Sequence, residues 1–189
     1  MNNVEPIRDK RKIRAMKLYL KKQSMRNYFL FSIGISSALR ISDILDLKVC
    51  HIWDGKKIPD FIEVKEKKSG KIKTFPVSLN LKIAIQEYMD CYKPTSPEQY
   101  LFLSKKGVDQ PITRFQALRI IKEAGLAVGV KENLGSHSMR KTWGYWAYRE
   151  GYPIALICEA LNHSSERVTR KYIGITRSDV DEMYLTLNL

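Results

Sequence analysis

Residues 136–172 read SHSMRKTWGYWAYREGYPIALICEALNHSSERVTRKY, and the spacing predicts three consecutive helices. The first runs from about His137 to Glu150 and stops at Gly151. Glycine takes the left-handed conformation beyond a helix end without a Cβ clash. Pro153 suits the first turn of the second helix, where a missing N–H costs nothing, and Ile154, Leu156, Ile157 and Leu161 supply its apolar face. Residues 165–172 form the third. His137 and Arg140 stand three positions apart, which puts them side by side on one face of the first helix. Trp143 and Trp146–Ala147 recur at helical spacing behind Arg140, so this aromatic run reads as core.

Toward the C-terminus, Ser178 with Asp181 is expected to cap a last helix over 178–189, regular to about Leu187. Toward the N-terminus, Thr113 caps a helix over 114–124 carrying Phe115, Leu118, Ile120 and Ile121. Another helix bears Leu81, Ile83, Ile85, Tyr88 and Met89. Tyr100–Leu103 is a short apolar run, followed by a turn at Lys105-Lys106-Gly107. Further back the period changes. Val49–Trp53, Phe61–Lys65 and Lys71–Val77 read as three short strands, with Asp54-Gly55 and Ser69-Gly70 as hairpin turns. Before them come helices over 12–22, after Ser24 (with Tyr28, Phe29, Phe31 and Ile33) and over Ile41–Leu47. Residues 1–11 are polar and read as a flexible tail. With no internal repeat and no linker, the expectation is one domain over 12–189, mainly α with a small antiparallel β-sheet, an α+β fold.

The 189 residues, 44% hydrophobic and 28% charged, suffice for one buried core. Lys and Arg number 33 against 20 Asp and Glu, a formal charge of +13. That excess favours a polyanionic partner, because each neutralised phosphate releases condensed counterions. The alternative is a solvated basic surface. A membrane partner is disfavoured, since the basic residues are spread along the chain rather than gathered on one amphipathic anchor. There is no apolar run of about 18 residues, as a membrane-crossing helix needs. The start, Met-Asn-Asn-Val-Glu-Pro, lacks a secretory pattern, so a cytoplasmic location is expected. Cys50, Cys91 and Cys158 are odd in number and far apart, which implies neither a disulfide nor a zinc framework.

Singly, a histidine, a tyrosine or a lysine-rich hairpin says little. In order, Arg40, Lys68, His137 with Arg140, His163 and Tyr172 are a different matter. Tyr172 follows His163 by nine positions and His163 follows Arg140 by 23. This set and its intervals resemble the catalytic pattern of the tyrosine recombinase (phage integrase) family over about residues 12–189. Asp43, the turn Lys68-Ser69-Gly70-Lys71 leading to Pro76, and Gly151 add to the likeness. Asn162 departs from it, standing where a glycine is usual, as do Ser69, where Thr is common, and the bulky Trp146. The hairpin lysine is assigned as Lys68, with Lys65, Lys67, Lys71 and Lys73 as competitors.

The resemblance implies a site-specific recombinase, an enzyme of DNA breaking and rejoining that integrates, excises or inverts a segment of a mobile genetic element. Arg40 and Arg140 would clamp the phosphate through bidentate bonds that lysine cannot reproduce. Tyr172 would attack to give a 3′-phosphotyrosyl link and a free 5′ hydroxyl. His137 would take the phenolic proton, Lys68 would protonate the leaving oxygen, and His163 would position the phosphate. No metal and no cofactor are expected. The expected partners are double-stranded DNA, accessory DNA-bending proteins and further copies of the chain, as a tetramer on DNA. The last helix, with Val180, Met183, Tyr184 and Leu187, either passes to a neighbouring copy or packs on its own domain. About eleven residues precede the first helix, so no core-binding domain is expected. The chain then reads as an excised catalytic fragment or as a short recombinase of the promoter-inverting kind. A catalytically silent DNA-binding module and a strand-relaxing topoisomerase with the same chemistry are the competing readings.

Overall fold

The computed structural model describes residues 4–105 and 109–187. In chain order these form α1 (Lys10–Gln23), α2 (Met25–Ser36), α3 (Ile41–Leu45), α4 (Val49–Ile52), β1 (Phe61–Lys65), β2 (Ile72–Pro76), α5 (Leu79–Tyr92), α6 (Arg114–Ala127), α7 (Ser138–Arg149), α8 (Ile154–Ala160), α9 (Glu166–Ile173) and α10 (Arg177–Leu187). The fold is mainly α with one two-stranded antiparallel sheet among the described residues, as expected. The turn expected at Lys105-Lys106-Gly107 extends outside the described residues.

The core is organised around α2, which is apolar on all sides and buried from Tyr28 to Gly34. It packs against α1, α5 and α7. Phe29 stacks on Tyr88 and Phe102 with ring centres 4.8 and 5.6 Å away. At Gly34 an added Cβ would lie 2.3 Å from the Met139 sulfur, so the bare backbone lets the first turn of α7 rest directly on α2. A smaller apolar cluster of Ala38, Ile157, Leu161 and Ile173 holds α8 and α9 against α7, with Trp143, Tyr148 and Tyr172 packed on it. The aromatic run of α7 therefore serves packing.

Helix ends follow local chemistry. Thr113 and Gln116 form a reciprocal capping box at α6, Ser165 caps α9, and Gly151 takes φ 85° beyond α7. In the hairpin, Ile62 pairs with Phe75, and Ile62, Val64 and Glu66 alternate inward.

Three expectations are corrected. Val49–Ile52 is a helical turn, not a strand: Val49 and Ile52 are both buried three positions apart, and the His51 ring accepts the Lys48 N–H at 2.9 Å. The cap of α10 is made by Thr176, whose N–H and hydroxyl donate to Asp179 at 2.6 and 2.8 Å, whereas Asp181 pairs with Arg177. Residues 4–9 are not a loose tail. Ile7 is wholly buried, its N–H donates to the Thr142 hydroxyl, and its carbonyl accepts from the Trp146 indole. Lys141 donates to the Val4 carbonyl and Arg8 to that of Gly174.

Candidate active site

Arg140 lies in the first turn of α7 and is 2% exposed. Its guanidinium donates to the Ala38 carbonyl at 2.6 Å and to the Leu161 carbonyl at the end of α8. Ala38 adopts φ 54°, a left-handed conformation that costs a non-glycine residue about 1 kcal/mol. That geometry aims its carbonyl at two cations at once, since Lys73 Nζ also donates to it at 3.1 Å and to the Ala160 carbonyl at 2.8 Å. Lys73 sits in β2. Burial and the Arg140 charge lower its pKa to about 8.

Arg40 is the residue just before α3, in extended conformation, and donates from Nη1 to Glu66 Oε1 at 2.6 Å. Glu66 is 1% exposed, yet it also accepts from the Ser69 hydroxyl at 2.7 Å and the Asn162 amide at 3.0 Å. Burial pushes its pKa up, but the bonds from Asn162, Ser69 and Arg40 outweigh that and bring it to about 2. The carboxylate stays ionised.

Tyr172, on α9, points into this cationic cluster. Its hydroxyl lies 3.1 Å from His137 Nδ1, its ring meets that of His163 edge-on at 4.7 Å, and Lys141 Nζ lies 5.1 Å from its ring centre. Gly144 on α7 permits the approach of α9, because a Cβ there would stand 2.7 Å from Ile173 Cγ2. Burial raises the pKa of the Tyr172 phenol, opposed by the Arg140 and Arg40 charges. Burial lowers that of His137, reinforced by Arg114, Arg140, Lys141 and Arg40. His163 is brought to about 4 by burial and by the Arg140, Arg40 and Lys73 charges. Its Nδ1 lies 3.1 Å from the Thr169 hydroxyl oxygen, while that hydroxyl donates to the Ser165 carbonyl. Thr169 is thus the acceptor for an Nδ1–H, which leaves Nε2 of the neutral ring open.

The structure brings Arg40, His137, Arg140, His163 and Tyr172 together from four parts of the chain, His137 and Arg140 sharing the start of α7. Lys68 stands exposed on the β1–β2 turn instead, joined to the site through Ser69 and through the Lys67 N–H, which donates to Asp43 at 3.0 Å. Lys73, one of the competing hairpin lysines, is the one packed inside. Glu66, Thr169 and Lys141 escaped the sequence reading. Only Glu66 left a signal, as an acidic residue on the inward beat of Ile62 and Val64. Asn162 takes φ 48°, which explains how it replaces a glycine: asparagine tolerates the left-handed region. Among the described residues no group of three or more His, Cys, Asp or Glu is placed to hold a metal ion. Three cations, Arg40, Arg140 and Lys73, set against the carboxylates of Glu66 and the nearby buried Asp43, leave the cluster with net positive charge, suited to a single anionic group.

The sequence profile described as the phage integrase family matches residues 8–178. The chain is 41% identical over 184 residues to a probable integrase/recombinase, YoeC, of Bacillus subtilis (strain 168), covering 97% of both chains. It spans about half the length of the next curated relatives, all named tyrosine recombinases. In fold it is similar to the crystal structure of XerA recombinase (TM-score 0.79, 20% identity, 99% of this chain and 66% of that one). It is also similar to XerH site-specific recombinase bound to palindromic difH substrate in a post-cleavage complex (TM-score 0.71, 18% identity, 100% of this chain and 55% of that one).

Proposed function

The chain belongs to the phage integrase family of tyrosine recombinases, and from that premise we propose that it cleaves and rejoins double-stranded DNA through a covalent bond to Tyr172. The observation that carries the proposal is the Tyr172 hydroxyl 3.1 Å from His137 Nδ1, beside the Arg140 and Arg40 guanidiniums. The buried phenol holds its proton, so attack needs a base, and a neutral His137 is within reach of that proton. Tyr172 Oη bonds to phosphorus as the bond to the 5′ oxygen breaks. The charge that builds on the non-bridging oxygens falls to Arg40 and Arg140, a contribution of roughly 3–4 kcal/mol per donor. His163 orients the phosphate, and Lys68, on its exposed turn, supplies the proton to the leaving 5′ oxygen. The 3′-phosphotyrosyl bond conserves the energy for rejoining, so a hydroxyl from another strand reverses the step and exchanges strands. Integration, excision and inversion of a segment all follow from this one reaction.

The formal charge of +13 supports DNA as the partner. The last helix supports assembly: Met183, Tyr184, Leu185 and Leu187 of α10 are all more than half exposed, which suits a segment handed to the next copy in a tetramer. No helix among the described residues is long and apolar enough to cross a membrane.

The test is a nicked duplex that blocks religation, drawn from a pool of sequences flanking the gene. The wild type is expected to form an adduct that survives denaturant and EDTA and disappears on proteolysis, and Tyr172→Phe to form none. An adduct with Tyr172→Phe overturns the nucleophile. Salt-sensitive binding without any adduct favours the silent module, and relaxation of supercoils without sequence-specific exchange favours the topoisomerase reading.

A further inference from the structure

Among the described residues Glu66 is the acidic side chain that bonds directly to Arg40, to the Lys68 turn and to the residue before His163, and the recombinase reaction has no chemical step for it. Its carboxylate is 1% exposed and gathers donors from three separate elements. Arg40 comes from the start of α3, at 2.6 Å; Ser69 from the turn that carries Lys68, at 2.7 Å; and Asn162 from the end of α8, immediately before His163, at 3.0 Å. Arg140 Nη1 stands 3.7 Å away. The backbone of Glu66 closes the same turn, with its carbonyl accepting from Gly70 N–H at 2.8 Å and its N–H donating to the Lys71 carbonyl at 2.9 Å.

Resting on the recombinase reading, we propose that Glu66 is a positioning residue for DNA cleavage, which orients the Arg40 guanidinium toward the scissile phosphate and ties the Lys68 turn and the His163 junction to it. A guanidinium has five N–H groups in a rigid fork. Glu66 holds one edge of Arg40 by Nη1, and the Arg40 side chain, 18% exposed, keeps a path to the site opening. Fixing one edge sets the direction of the other, which is what a bidentate phosphate contact requires. Ser69 and Asn162 carry the tie further. The hairpin that bears the proton donor and the junction that bears the second histidine are set by one anion, so three groups that must meet one phosphate share a single reference point. Glu66 also supplies the negative charge that lets Arg40, Arg140 and Lys73 gather before DNA arrives. With three donors directed at it, the carboxylate remains an anion throughout the working pH range.

A glutamine at this position keeps the shape but presents an NH2 where a donor already points. The test compares full-length wild type, Glu66→Gln and Ser69→Ala on the nicked duplex under single turnover, with DNA affinity measured separately and amide hydrogen exchange followed at residues 67–71 without DNA. Glu66→Gln is expected to slow adduct formation at saturating DNA by about a hundredfold while the dissociation constant changes less than about threefold. Exchange at the turn should quicken in both variants. Ser69 is exposed, so Ser69→Ala leaves the core untouched and keeps the test open if Glu66→Gln does not fold. It should slow cleavage by about tenfold, and Ser69→Thr, which restores the hydroxyl, should recover it. A Glu66→Gln chain that reacts at the wild-type rate, or faster because Arg40 has been released, overturns the proposal. So do Ser69→Ala and Ser69→Thr variants that are indistinguishable. A wild type that forms no adduct on any duplex overturns the recombinase reading and this proposal with it, whereas a reactive wild type matched by its variants overturns this proposal alone.

Discussion

His163 is neutral in the free protein because burial and three neighbouring cations oppose its proton, bringing its pKa to about 4 from 6.5. In the unfolded chain the same ring titrates near its ordinary value. Between about pH 6.5 and 4 the unfolded state therefore binds a proton that the native state does not, and stability falls as pH drops through that window. Above it the full stability is present. His137, also lowered, adds in the same direction. Urea unfolding at pH 7, 5 and 4 should show the wild type losing on the order of 2 kcal/mol more than His163→Gln. Equal losses would mean that the site does not depress this histidine. Arg140→Lys makes a sharper statement about geometry. One ammonium cannot hold the Ala38 and Leu161 carbonyls and still offer a flat pair of donors to phosphate. Adduct formation should fall by about a hundredfold or more with the charge unchanged, as read from single-turnover rates. A rate within about threefold of wild type would reduce Arg140 to a point charge.

At the scale of elements, the position of Tyr172 depends on how closely α9 lies on α7. Gly144 sets that distance: a Cβ there would meet Ile173 Cγ2 at 2.7 Å and Leu161 Cδ1 at 3.3 Å. Gly144→Ala should cost about 1–3 kcal/mol in unfolding free energy. By displacing Tyr172, the proposed nucleophile, it should also slow adduct formation by about tenfold to a hundredfold, with DNA affinity retained. Unchanged cleavage would show that α9 can shift without moving its tyrosine. The helices of this region were legible because their punctuation is local. Gly151, Pro153 and Ser165 act within a turn of themselves, and α7 to α9 fall within a residue or two of their expected limits. The misreadings have a physical pattern. Val49–Ile52 is too short for periodicity to separate a strand from a single helical turn. The cap of α10 was misplaced by two residues because Thr176 and Asp179, which form it, have the same three-residue spacing in the sequence as the expected pair. The packing of residues 4–9 could not be read at all, since the partners of Ile7 are Thr142 and Trp146, more than 130 positions away. Glu66 was hidden for a similar reason: Asn162 lies 96 positions from it.

For the whole molecule, the question is what α10 serves. Tyr184 is 70% and Leu185 81% exposed, and Val180, Met183 and Leu187 are also open to solvent. A helix with this much apolar surface contributes little to the fold of its own chain. Its described ties are peripheral, chiefly the Arg149–Glu182 ion pair at 3.1 Å, whose partners are both exposed. Such a pair contributes about 0–1 kcal/mol. A chain ending at Thr176 should therefore keep its core, with a melting temperature within about 4 °C of the full length. It also keeps every residue of the Tyr172 site, so a nicked duplex should still trap it covalently. What it should lose is the joint: sedimentation on a duplex carrying two sites should show single copies where the full chain is expected to form the proposed tetramer, and strand exchange between two sites should fall by at least about tenfold. A truncated chain that unfolds would place α10 in its own core, and one that recombines at the full rate would leave the apolar face without a role in assembly. If cleavage survives and exchange does not, the ability to cut resides in the single domain, and the ability to recombine arises when each copy lends its last helix to the next.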